Sequence, residues 1–193
     1  MRMALEELIV RNRSYRRFDE SRRVARGTLV DLVEVARRVP SAANRQPLKY
    51  VLLSHADTCA RMFPYLAWAG ALRDWGGPAE GERPAAYIVV LLDTGVAKDA
   101  GCDHGIACQS MLLAAVEKGL GGCMLGAIDR EGIRREFGIP DRYGILLVVA
   151  LGIPAERCVL EEAEPGGNLT YYRDGEGVHH VPKRGLEEVI LDL

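Results

Sequence analysis

Two apolar runs set the terms on which this chain can fold: Ala86-Tyr87-Ile88-Val89-Val90-Leu91-Leu92 and Tyr143 through Ile153. Neither has the alternation of a strand with one wet face, so each reads as a buried strand. Between them the spacing predicts the longest helix, over 99–118, with Ile106, Met111, Leu112, Ala115 and Val116 on or near one face. A third strand is expected at Lys49-Tyr50-Val51-Leu52-Leu53. The buried runs need helices to cover them, and the rest of the chain supplies candidates.

Residues 3–12 carry Leu5, Leu8 and Ile9 at helical spacing. A second helix is expected to start at Thr28, capped by its hydroxyl with Asp31 beside it, and to end before Pro40. Residues 55–67 read as helical, and 68–84, rich in Gly, Trp, Pro and charge, as an excursion. Gly119 to Gly126 forms a glycine-rich turn into a short strand, followed by a helix from Asp129 to Gly138. The tail, 154–193, has apolar residues but no independent core. Gly166-Gly167 and 172–177 look loop-like, and Leu186, Val189, Ile190 and Leu191 give an amphipathic finish. No repeat or linker divides the chain, so residues 1–193 are read as one α+β domain.

Composition narrows the partners. A chain of 193 residues with formal net charge -2 lacks the basic excess that favours nucleic acid. No apolar run of about 18 residues could span a membrane, and the start, Met1-Arg2-Met3-Ala4-Leu5-Glu6-Glu7, does not resemble a signal peptide. Cys59, Cys102, Cys108, Cys123 and Cys158 are scattered without Cys-x-x-Cys spacing, which suits mostly buried thiols in a reducing cytoplasm. Cys102, His104 and Cys108 could be imagined as metal ligands, but core packing explains them better, and no metal is expected.

The glycine-rich turn invites a dinucleotide reading and fails it. Gly119 and Gly121 fit Gly-x-Gly-x-x-Gly, but the sixth position is Met124, and the segment follows a helix rather than opening one. A P-loop is also missing. Side chains would therefore have to hold any phosphate. Two segments carry suitable chemistry: Arg13-Ser14-Tyr15-Arg16-Arg17-Phe18, and Pro40-Ser41-Ala42-Ala43-Asn44-Arg45-Gln46-Pro47. Guanidinium groups fork onto phosphate oxygens, and the amides and hydroxyl of the second segment can read the polar edge of a flat heterocycle. Taken singly, the first could be a charged helix end and the second a helix stop. Their joint occurrence, in this order, is what favours a binding site.

Together these segments resemble the N-terminal signatures of the nitroreductase family of FMN-dependent oxidoreductases. Arg13 to Phe18, with Asn12 before it, matches Arg-x-Ser-x-Arg/Lys-x-Phe; Ala36 to Pro47 matches Ala-x-x-x-Pro-Ser-x-x-Asn-x-Gln-Pro. Glu117-Lys118-Gly119-Leu120-Gly121 and the basic pair Lys183-Arg184 complete the pattern. Two departures stand out: Leu48 replaces an aromatic that often follows Gln-Pro, and the insertion of longer members is reduced here to 68–84.

The resemblance implies a three-layer α-β-α fold with a mixed, mostly antiparallel sheet, and a C-terminal arm (154–193) wrapping a homodimer partner. FMN would lie at the interface. Arg13, Ser14 and Arg16 would contact it from one subunit, Arg13 at the phosphate and Arg16 at the N1/O2 side of the ring. Ser41, Ala42, Asn44 and Gln46 would reach it from the other. Met124, Leu125 and Gly126 would lie near N5, and Lys183 with Arg184 would close on the phosphate. Residues 68–84 would form a roof, with Trp68 either part of it or a core anchor. The implied activity is ping-pong hydride transfer from NADH or NADPH to nitroaromatics, quinones or a similar small aromatic acceptor. Arg16 would give electrostatic support, and no side chain is an indispensable acid; Asp103, His104, His179 and His180 read as structural or solvated. The same fold could instead serve metabolite dehydrogenation, flavin fragmentation or non-enzymatic flavin binding.

Overall fold

The computed structural model describes residues 3–191; residues 1–2 and 192–193, the ends of the expected domain, lie outside it. The two apolar runs become β2 (Ala86–Asp93) and β4 (Tyr143–Gly152), the middle strands of an antiparallel sheet. β1 (Leu48–Leu53) and β3 (Gly121–Leu125) form its edges, in the order β1-β2-β4-β3. Every residue of β2 is buried because both faces are covered. On one face Ile88, Val90, Val149 and Leu151 pack with Leu29 and Leu32 of α2 (Arg26–Ala36) and Met111 of α4 (Asp103–Glu117). On the other, Tyr87, Val89, Val148 and Ala150 pack with Met62 of α3 (Ala56–Met62) and Ile133 of α5 (Arg130–Phe137). The three expected layers are present. Parallel pairing, among the described residues, is confined to a small second sheet and one bridge between Ser14 and Gly122.

β4 contains a bulge. Val90 faces Leu147 and Leu91 faces Ile145, leaving Leu146 unpaired, so Leu147 and Ile145 turn to opposite faces despite their even spacing. The Arg130 guanidinium donates to the carbonyls of Ile145 and Leu146, 3.0 Å each, which satisfies the interrupted ladder.

The helix ends follow local chemistry with some corrections. α5 starts and stops as expected: Asp129 accepts the Gly132 amide at 2.9 Å, and Gly138 closes it at φ 62°. Thr28 is not a cap. α2 begins two residues earlier, and the Ala25 carbonyl takes the Thr28 and Leu29 amides. α4 opens at Asp103, because Gly101 turns the chain at φ 47° just before it. Ile106 lies 40% exposed, apart from the buried face that holds Met111, Leu112 and Ala115. α3 ends at Met62, and Pro64 sits in a 3-10 turn over Phe63–Tyr65, so 55–67 is not one helix. α1 (Leu5–Arg11) buries none of its residues.

The tail is more ordered than its composition suggests. β5 (Cys158–Glu162), β6 (Tyr172–Arg173) and β7 (His179–Lys183) make a sheet in the order β5-β7-β6. Tyr172 and Arg173 are therefore strand rather than loop, and Asp174 shapes the following turn by accepting the Glu176 and Val178 amides at 2.9 Å. The buried Glu156 carboxylate fastens this sheet to the N-terminal segment of the same chain. It accepts the Arg16 and Arg17 amides and pairs with the Arg173 guanidinium at 2.7 Å. Beyond β7, Leu186, Val189, Ile190 and Leu191 are exposed.

Candidate active site

The first motif is laid along the free edge of β3. Phe18 is fully buried and anchors it, packing so closely on Gly152 that a Cβ there would meet its ring at 2.9 Å. Ser14 bridges to Gly122, and the Tyr15 amide donates to the Gly122 carbonyl at 3.1 Å. Gly121 and Gly122 are required for this approach. A Cβ on Gly121 would lie 2.5 Å from the Tyr15 ring, and one on Gly122 2.5 Å from the Ala150 carbonyl oxygen. The glycines of the turn thus serve close packing of backbone.

Docked this way, Arg13, Ser14 and Arg16 line a cavity of about 330 Å³ together with Met124 and Lys183. Gln109 and Tyr171, which no sequence motif marks, also line it, as does His179, a residue the sequence suggests is structural or solvated. The cavity has the size of a small-molecule site, which starts at about 300 Å³. Among the described residues its wall carries three cations and no carboxylate. Arg13 gives one hydrogen bond to the Ile9 carbonyl at 2.7 Å, and Arg16 one to the Ser14 carbonyl at 3.1 Å. The Nε of each is buried without an acceptor. Guanidinium groups that line a cavity with no negative charge and are short of acceptors fit an anionic ligand.

Arg16 is held from two further sides. Its guanidinium lies 5.0 Å from the centre of the Tyr171 ring and 3.4 Å from His179 Nε2. A guanidinium only donates, so Nε2 must accept, which puts the imidazole hydrogen on Nδ1. Burial, reinforced by the Arg16 charge, lowers the His179 pKa and keeps the ring neutral. Here His179 is structural in the sense expected from sequence, and it also forms part of the wall.

A second lobe of about 210 Å³ adjoins the first, sharing Arg16, Met124 and Tyr171, and includes Leu125 and Gly126. Residues 67–70 close its other side. Trp68 is both wall and anchor: it is 8% exposed, stacks on Phe63, and rests on Gly77, whose φ of 120° and close approach leave no room for a side chain. Trp75 lies elsewhere, beside Arg173 at 4.2 Å and Arg17 at 5.9 Å.

The second motif does not reach this cavity within one chain. Ser41 and Gln46 line a separate cavity of about 200 Å³, while Ala42 and Asn44 are exposed. Arg184 is exposed and outside both. The loop is conformationally strained: Ala43, Asn44 and Gln46 all have φ near 50°. Asp103 over-determines it, accepting the Ser41 hydroxyl at 2.5 Å and the Ala42 amide at 3.0 Å, while Ser41 Oγ accepts the Gln46 amide at 2.9 Å. Those bonds, the Ser41 one foremost, hold the Asp103 carboxyl below the usual carboxylate range. A sequence signal for this role existed only as an acid at the opening of a helix.

The family model of the Nitroreductase family matches residues 9–153, three quarters of the chain. The chain belongs to the nitroreductase family. A relative from Methanothermobacter thermautotrophicus, named "Putative NADH dehydrogenase/NAD(P)H nitroreductase", is 30% identical over 162 residues, 80% of each chain. Among solved structures, the nitroreductase family protein of Streptococcus pneumoniae TIGR4 superposes with a TM-score of 0.70 at 17% identity, over 98% of this chain and 100% of that one. An FMN-dependent nitroreductase from Clostridium difficile R20291 gives a TM-score of 0.63 at 19% identity, over 79% and 89%. The likeness to the streptococcal nitroreductase-family fold spans the tail sheet as well as the matched 9–153.

Proposed function

We propose that this nitroreductase-family protein is an FMN-dependent oxidoreductase that takes hydride from NADH or NADPH and reduces nitroaromatics, quinones or similar electron-poor acceptors in a ping-pong cycle. The observation that carries the reading is the carboxylate-free cavity in which Arg13, Arg16 and Lys183 converge, two of them with buried Nε groups lacking acceptors. The names of the archaeal relative and the clostridial structure, one citing NAD(P)H and the other FMN, agree with it.

When bound, FMN supplies the hydride chemistry at N5, as cofactors generally do. The chain supplies grip, orientation and field. Arg13 and Lys183, with Arg184 closing from the tail, would hold the phosphate, and Ser14 would add a hydroxyl. Arg16 would lie at the N1/O2 edge, where a fixed guanidinium stabilises negative charge. Tyr171 and His179 keep that guanidinium from turning away. Met124, Leu125 and Gly126 would lie against the ring, and the wall at 67–70 would limit water. No side chain is assigned as an acid; solvent supplies the proton.

The protein would act as a homodimer in which Ser41, Ala42, Asn44 and Gln46 reach the cofactor of the other subunit. Their separation from the cavity in one chain supports this, as do two exposed apolar surfaces: Leu5, Ile9 and Val10 on α1, and the tail beyond β7.

The deciding experiment is the visible spectrum of the purified protein, followed by NADH or NADPH without oxygen. Flavin absorbance that bleaches, then recovers on adding a quinone or nitroaromatic, is the expected result. A colourless protein that FMN cannot reconstitute would overturn the assignment. Bound flavin that neither nucleotide bleaches would overturn the NAD(P)H-linked activity.

A further inference from the structure

Arg16 belongs to the first motif, but the tail holds it. The Glu156 carboxylate accepts its main-chain amide, the Tyr171 ring centre lies 5.0 Å from its guanidinium, and His179 Nε2 lies 3.4 Å from one terminal nitrogen. Tyr171 is itself fixed: its hydroxyl accepts the Ala71 amide at 3.3 Å, and its ring centre is 5.2 Å from that of His179. His179 sits at the start of β7, where its amide donates to the Arg157 carbonyl at 2.8 Å.

The partner that His179 offers Arg16 differs from a carboxylate, which would grip a guanidinium and cancel its charge. Here the acceptor is neutral: the ring is 2% exposed, and burial first, then the Arg16 charge, keep it unprotonated. The Glu156 carboxylate contacts the Arg16 main chain and pairs its own charge with Arg173. With Nε2 accepting, the imidazole hydrogen stands on Nδ1, which is buried without a hydrogen-bond partner among the described residues. An unmet buried donor opposes folding, and a leucine in the same wall would avoid it. What the imidazole adds is an acceptor that leaves the guanidinium charged. Arg13 and Lys183 share the cavity wall, so two like charges would drive an unheld Arg16 outward.

We propose that His179 is the positioning residue of Arg16, a neutral acceptor that holds the guanidinium at the cavity and leaves its positive charge for the ligand. Through this contact the tail sheet sets how strongly the site favours negative charge at the flavin edge. A fixed cation there favours the reduced cofactor over the oxidised one and raises its potential. The inference rests on the proposed function for the flavin; the contact between the two side chains does not.

The test has two arms, both on the full chain. In flavin-free wild type carrying isotope-labelled histidine, NMR at neutral pH should show His179 uncharged with its hydrogen on Nδ1. A hydrogen on Nε2 overturns the proposal. In protein reconstituted with FMN, the two-electron potential is read anaerobically against reference dyes. His179→Leu should weaken binding of reduced relative to oxidised FMN about tenfold, which lowers the potential by about 30 mV. His179→Gln, whose amide oxygen can replace Nε2 as acceptor, should restore that ratio to within about threefold of wild type. In an Arg16→Ala background the leucine substitution should change nothing further, because its effect passes through Arg16. An unmoved potential in His179→Leu, a glutamine no better than leucine, or an equal loss with Arg16 absent overturns the proposal. The expected tautomer in a protein that takes no FMN leaves the positioning of Arg16 standing and removes the flavin reading. Flavin that NADH or NADPH bleaches, at a potential indifferent to His179→Leu, does the reverse.

Discussion

The Ser41 hydroxyl donates to the Asp103 carboxylate at 2.5 Å, joining the Pro40–Pro47 loop to the first turn of α4 across 62 positions of sequence. The loop carries three non-glycine residues in left-handed conformations, so it holds its shape only while that anchor exists. Asp103→Ala removes the acceptor of two hydrogen bonds to a charged group, each worth about 1.5–3 kcal/mol. We expect it to lower stability by at least about one such bond, and to weaken FMN binding, with the sheet intact. Urea unfolding and flavin titration measure both. Because the folded Asp103 pKa is depressed, its contribution is present above the ordinary carboxylate pKa and lost as pH falls through the lower folded value. Asp103→Asn should flatten that acid limb.

Arg13 has one internal hydrogen bond and a buried Nε without an acceptor. The proposed function gives those unused donors the FMN phosphate. Arg13→Ala should raise the FMN dissociation constant about 10–100-fold, the equivalent of one lost charge-assisted contact, and leave thermal unfolding of the flavin-free protein nearly unchanged. Wild-type flavin affinity in this variant would sink the phosphate assignment.

Glu156 is the fastener between tail and body. Its side chain is 2% exposed, and it serves the amides of Arg16 and Arg17 and the Arg173 guanidinium. Removing one partner of a buried pair typically costs about 3–5 kcal/mol. Glu156→Ala should reach that range in denaturant unfolding and open the tail to limited proteolysis near β6. A stable variant with a protected tail would show that other contacts hold the second sheet.

His180 gives the tail a pH response. Its Nε2 lies 3.0 Å from Asp174 and its Nδ1 contacts Glu161, while Tyr172 stacks on the ring at 4.7 Å. Asp174 chiefly, then Glu161, raises its pKa above 6.5. The protonated ring bonds both carboxylates, so its stabilisation is complete below pH 6.5 and fades as pH rises through the raised value. Hydrogen exchange of β6 and β7 amides should accelerate over that interval beyond the intrinsic pH effect, and His180→Gln should abolish the excess.

The exposed apolar faces predict an assembly. Ile9→Glu on α1 or Ile190→Glu in the tail should shift the protein from dimer to monomer in light scattering and lower flavin retention with it. A wild-type protein that is monomeric and fully flavin-loaded would overturn the shared site.

The main strands and the α5 helix were legible in the chain alone. Short continuous apolar runs rich in Val and Ile favour strands covered on both sides, and an Asp and a Gly flanking Arg130–Phe137 set that helix locally, because capping depends on neighbours in the chain. The sequence also determined the kind of chemistry, since arginines, a hydroxyl and amides declare their hydrogen-bonding capacity wherever they sit. What those groups face depends on the fold as a whole. The β4 bulge reversed one side chain without a local signal. The tail became a sheet because β5 pairs with β7 in parallel, with 16 residues between them, a pairing that periodicity does not encode. Tyr171, His179 and Asp103 acquired their roles through contacts spanning 62 to 163 residues. Such contacts depend on packing geometry and burial summed over the whole molecule, and no window of sequence contains that sum.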